Sequence, residues 1–107
     1  MQHIIELPED AHHGIMLFAE ERRRVVVEEG YTPEHDDSHD PVQLVAAGYC
    51  YIQQALFDLQ GISGDNPPCE WPFEDSAWKP SEGDTLKDLK RGVQFLAAFV
   101  DNVLTEY

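Results

Sequence analysis

Positive charge is scarce in this sequence. Seven Lys plus Arg stand against 21 Asp plus Glu, giving a formal net charge of −14. Neutralising a nucleic-acid backbone takes clustered cations, so no direct nucleic-acid binding is expected. An anionic membrane surface would repel the chain. No apolar run approaches the ~20 residues of a membrane span. The segment from Met1 to Pro8 lacks the basic start and apolar core of a secretion signal, so the expected location is cytoplasmic. Only two cysteines occur, Cys50 and Cys69, with no CxxC pair. In a reducing compartment both are expected as free thiols. The sequence also lacks GxGxxG, P-loop, GxSxG and HExxH motifs, internal repeats and low-complexity tracts.

Apolar residues are not scarce. They make up 42% of the 107 residues, enough for one packed domain and too many for a disordered chain. Their spacing is helical. Val42, Val45, Tyr49, Ile52, Leu56 and Leu59 recur every three or four residues between Asp40-Pro41 and Gly61. Asp40-Pro41 reads as N-cap plus first helical residue. Leu86, Leu89, Val93, Leu96, Val100, Val103 and Leu104 repeat the pattern after the start signals Pro80, Ser81 and Asp84. Both stripes are expected to be core. A third helix is expected from about His12 to Glu29, with Gly30 as its stop. Its Val25-Val26-Val27 run would suit a strand, but no second strand-like run exists to pair with it. The expected fold is an all-α, three-helix antiparallel bundle forming a single domain, residues 1–107. Between its second and third helices lies a long Pro-rich and Trp-containing loop, Gly61 to Gly83. Trp71 and Trp78 are expected to pin that loop to the bundle.

Several clusters could carry chemistry. His35-Asp36-Asp37-Ser38-His39 places two imidazoles around two carboxylates. This set suits a divalent metal such as Zn, Mn or Mg, with His35, Asp36, Asp37 and His39 as ligands. The alternative is that the acids cap neighbouring segments and the histidines are solvated. His12-His13 reads as an exposed pair. In Glu20-Glu21-Arg22-Arg23-Arg24, the pairs Glu20–Arg24 and Arg24–Glu28 have helical i,i+4 spacing. Either these charges form a solvated face, or Arg22 or Arg23 grips a carboxylate or phosphate. Lys87, Lys90 and Arg91 could join such a pocket. They sit at the start of their helix, where the dipole disfavours cations, which hints at an anionic neighbour. Trp71 and Trp78 read as core anchors, or else as walls of the same ligand site.

The succession EERRRVVVEEGYTPEHDDSH, LVAAGYCYI, WPFEDSAWKP and LKDLKRGVQFLAAFVDNV resembles a group of small phage- and prophage-encoded proteins, over roughly Glu20 to Asn102. That resemblance implies a helical fold and action inside a bacterial host cell. The group is in turn distantly similar to MazG-type nucleotide pyrophosphohydrolases, which are all-α and hold Mg with acids on two helices. Those enzymes have Glu pairs early in the second helix, where this chain has Pro41-Val42-Gln43-Leu44. Asp88 and Asp101 are too far apart to form one ExxD pair. Any catalytic carry-over would rest on Glu20, Glu21, Asp36 and Asp37.

The favoured expectation is a non-enzymatic inhibitor or sequestering protein. Its target would be a basic-surfaced host (defence) protein, met by the acidic surface, or a small anionic or nucleotide ligand. The ligand would be held by Arg22, Arg23, Lys90, Arg91, Trp71 and Trp78. The alternative is a metal-dependent nucleotide hydrolase built on the HDDSH segment. A homo-oligomer formed through the helical faces is a third possibility.

Overall fold

The computed structural model describes residues 5–30, 40–62, 67–81 and 83–104. Three helices carry the fold: α1 (His13–Glu28), α2 (Pro41–Gln60) and α3 (Thr85–Leu104). Short 3-10 turns precede α1 (Glu9–Ala11) and interrupt the loop after α2 (Asp75–Ala77). No strand occurs among the described residues, and the valine run is helical. None of the helices is long and apolar enough to cross a membrane.

Local chemistry sets the helix ends. Asp40 caps α2: its carboxylate accepts from the Val42 N–H at 2.8 Å, and Gln43 Oε1 accepts from the Asp40 N–H, closing a capping box with Pro41 inside it. Gly61 ends the helix in the left-handed region, at φ 72°. Gly30 does the same after α1, at φ 74°. Asp84 starts α3 by accepting from the Lys87 N–H.

Helices α2 and α3 run antiparallel and form the main contact, and α1 lies against α3. The α2–α3 seam corrects the expected core. Within it Gly48 lies against Gly92, flanked by Ile52 and Leu96. On α2 the buried residues are Leu44, Ala47, Gly48, Cys50, Tyr51, Gln54 and Ala55. Most of the apolar stripe read as core is outside: Val42 and Leu59 are each 73% exposed, and Val45, Tyr49 and Leu56 are exposed too. Leu86, Val100 and Leu104 of the α3 stripe are likewise exposed. The reason is steric. The two backbones approach where side chains are smallest, so the seam follows the glycines, and the large residues beside it are left outward.

The other side of the hairpin is covered by the loop. Trp78 is buried, with its ring 4.7 Å from Tyr51, and Trp71 meets both rings edge-on at 5.7 and 5.0 Å. Phe95 of α3 stacks on Tyr51 at 6.0 Å. Tyr51 also fixes the loop's backbone, its hydroxyl accepting from the Lys79 N–H at 3.1 Å. The tryptophans therefore pin the loop as the sequence suggests. Both cysteines are free thiols, Cys50 buried and Cys69 exposed.

Candidate functional site: a cationic cleft with aromatic walls

An open cleft of about 1070 Å³ lies between α1, the start of α3 and the pinned loop. Tyr51, Trp71, Phe73 and Phe95 supply aromatic lining, and Arg24, Lys79, Lys87, Lys90 and Arg91 supply positive charge against the carboxylates of Glu21, Glu29 and Glu74. These are five of the seven Lys plus Arg in the sequence. A smaller hollow of about 370 Å³ adjoins it, sharing Glu21, Arg24 and Lys90 and adding Arg23. A chain carrying −14 thus gathers nearly all its positive charge in one place.

The two arginines of the cleft are placed by nearby groups. Arg91 lies 5.8 Å from the centre of the Tyr51 ring, and its Nη1 donates to the Lys79 carbonyl. A guanidinium has five N–H donors, so this anchoring leaves most of them for other acceptors. Arg24 is held by Glu21 in a two-pronged pair at 2.9 and 3.1 Å, and by Glu29 at 3.3 Å. The i,i+4 partners expected for Arg24 are thus replaced by Glu21, three residues back, and by Glu29 beyond the helix end. Glu21 is buried, and its carboxyl is held below the usual value, first by the Arg24 hydrogen bonds and further by the charges of Arg24, Lys90 and Arg91. Burial opposes this shift. Glu21 is therefore the anionic neighbour that the awkward position of Lys90 and Arg91 hinted at.

The expected ligand residues divide. Lys90, Arg91 and Trp71 line the main cleft, and Arg23 lines the adjoining hollow. Trp78 lies beneath as a buried support. Arg22 grips a carboxylate within the fold: it bonds Asp101 at 3.0 Å and also Gln94, tying α1 to α3. Arg24, Lys79, Phe73 and Tyr51 escaped the sequence reading. The signal for Lys79 was its place between Trp78 and Pro80 in the pinned loop. The metal set His35, Asp36, Asp37 and His39 lies outside the described residues. Among the described residues, no three His, Cys, Asp or Glu side chains are grouped to hold a metal ion.

A second ionisable cluster joins the end of α2 to the start of α3. Asp88 is fully buried, with Oδ1 accepting from the Ser81 N–H at 2.8 Å. Asp58 Oδ1 accepts from Gln54 and from the Gly83 N–H, each at 3.2 Å. The two Oδ2 atoms are buried without a protein donor. A proton held on Asp88 lets one carboxyl donate to the other. Burial, then the Asp58 carboxylate, push Asp88 up to about 7. Burial works against ionised Asp58, but hydrogen bonds from Asp88, Gly83 and Gln54 keep it below the usual carboxylate value.

Chemically, the cleft offers cations for an anion and ring faces for a flat apolar group. No known protein family, curated protein or solved structure matches this chain.

Proposed function

We propose that this protein is a non-enzymatic binding protein that sequesters a small anion bearing a planar ring, with a nucleotide as the leading class. The observation behind this reading is the concentration of five of seven cations around aromatic walls in an otherwise acidic chain. An acidic exterior repels anions in general, while a local cationic cleft attracts them. Phosphate would pair with Lys90, Lys87 and Arg91. A base would lie against Trp71 or Phe73, a contact that tolerates any base because each has a π face. At about 1070 Å³ the cleft stands at the upper end of small-molecule sites, which span about 300–1,000 Å³.

Intrinsic fluorescence tests the reading, because Trp71 lines the cleft. Titration with nucleoside mono-, di- and triphosphates at low salt should change the emission. Inorganic phosphate alone should bind more weakly, since it has no ring. Losing a hydrogen bond to a charged group costs about 1.5–3 kcal/mol, so Arg91→Ala or Lys90→Ala should weaken binding roughly tenfold or more. Rising salt should weaken it further. Absence of binding across the nucleotide panel, or binding indifferent to both variants, would overturn the proposal. Following the same nucleotides for breakdown, with and without Mg and Mn, separates sequestration from hydrolysis.

A further inference from the structure

The side of the α2–α3 hairpin facing away from the cleft is apolar, and among the described residues nothing covers it. On α2, Val42, Val45, Tyr49, Ile52, Leu56 and Leu59 follow a 3-4-3-4-3 spacing. Leu86 to Val103 of α3 repeat the same spacing over the same length. This is the a/d pattern of a helix that packs against other helices along its whole length. At about 100° per residue, each stripe lies about a quarter-turn to one side of the Gly48–Gly92 contact. Tyr51, Arg91 and Phe95 lie to the other side. Because the helices are antiparallel, the two stripes fall on the same face. Eight side chains of this face are 39–73% exposed.

Charge is missing from the face. From Pro41 through Phe57, and again from Val93 through Val100, no Asp, Glu, Lys, Arg or His occurs. A solvated helix in so acidic a chain would carry charge there, as α1 does. The face therefore offers nothing to attract a basic partner. An apolar surface of matching length and repeat fits it, and a second copy of this chain presents one on its own α2–α3 hairpin. Two charge-free faces also bring two −14 chains together where like charges are fewest. The exposed area is of the order of the ~800 Å² that each partner buries in a standard interface.

We infer that this protein forms a two-fold dimer in which the α2–α3 hairpins of two copies close a four-helix bundle, leaving one cationic cleft on each outer side. Light scattering of the full chain during size-exclusion chromatography tests this. The expected mass is twice the 12.2 kDa chain, with more dimer as salt screens the charge. Leu56→Glu and Val100→Glu change exposed positions and should each give single chains with unchanged helical circular dichroism. If either unfolds the chain, Val42→Glu or Leu104→Lys, at more exposed positions, takes its place. Wild-type protein at single-chain mass at every concentration, or a dimer that survives these substitutions, would overturn the inference.

Discussion

Gly48 and Gly92 let the backbones of α2 and α3 meet directly, with the side chains of Leu96 and Ile52 closing in beside them. A methyl group built on Gly48 would stand 2.9 Å from the Gly92 carbonyl oxygen, and one built on Gly92 would stand 2.9 Å from that of Gly48. Neither backbone atom can swing aside as a side chain would. Glycine in mid-helix costs about 0.5–1 kcal/mol relative to alanine, so in an isolated helix alanine would stabilise. Here the sign reverses. Gly48→Ala and Gly92→Ala should each destabilise by about 1–3 kcal/mol, the usual range for an overfilled interior. Urea unfolding followed by circular dichroism measures it. An unchanged or raised midpoint for both variants would mean that the helices do not meet here.

Asp58 and Asp88 share their buried contact in a way that depends on pH. A carboxyl with a folded pKa of about 7 against an unfolded value near 4 binds its proton more tightly in the folded state. Its contribution to stability is complete below about pH 4 and is lost as pH rises through about 7. Asp58, with a lowered folded value, works in the opposite direction, losing its contribution as pH falls. Asp88→Asn keeps an oxygen for the Ser81 N–H and supplies a permanent donor to Asp58. It should be near-neutral at pH 5 and stabilising by on the order of 1–3 kcal/mol at pH 8. Thermal unfolding of both proteins at the two pH values checks this. Destabilisation by the variant at pH 8 would show that ionised Asp88 is better accommodated than its burial implies.

The sequence made the elements legible because their signals are local. Asp40-Pro41, Asp84, Gly30 and Gly61 act within a turn of the helix end they fix. The facing of α2 and α3 was not legible in the same way. Periodicity marks a stripe that avoids water, but it cannot say whether the same chain or another covers it. The stripe from Val42 to Leu59 has the pattern of a core face, while the seam follows two glycines that carry no hydropathy signal. The cleft was half legible. Lys90, Arg91 and Trp71 stood out by position and type, but Arg24, Lys79 and Phe73 join them only through tertiary approach.

Tyr51 makes two bonds of different kinds with the loop, and they can be separated. Its ring lies between Trp78 and Phe95, and its hydroxyl accepts from the Lys79 N–H. Tyr51→Phe keeps the ring and removes the acceptor of the part-buried Lys79 N–H, a loss worth about 0.5–1.5 kcal/mol. Trp78→Ala removes the buried tryptophan of the cluster and should cost about 3–5 kcal/mol. The two losses should not add, because both residues hold the same loop segment. A double variant whose loss equals the sum of the two would show that ring and hydroxyl act on separate parts of the structure.

Glu21 tests whether the cleft binds by charge. It is the buried acid among the cleft's cations, and it holds Arg24 with both oxygens. Its lowered pKa means that its stabilising contribution is present above the unfolded value near 4 and fades as pH falls. Glu21→Gln keeps the shape, removes the charge and frees part of Arg24. At pH 7 it should destabilise by about 1–3 kcal/mol. The same change should tighten nucleotide binding several-fold at low salt, because it leaves the cluster of cations less compensated. At high salt the gain should shrink. The fluorescence titration reads both effects. A variant that loses stability but binds nucleotide no better would mean that the cations around the cleft are committed to holding the fold together.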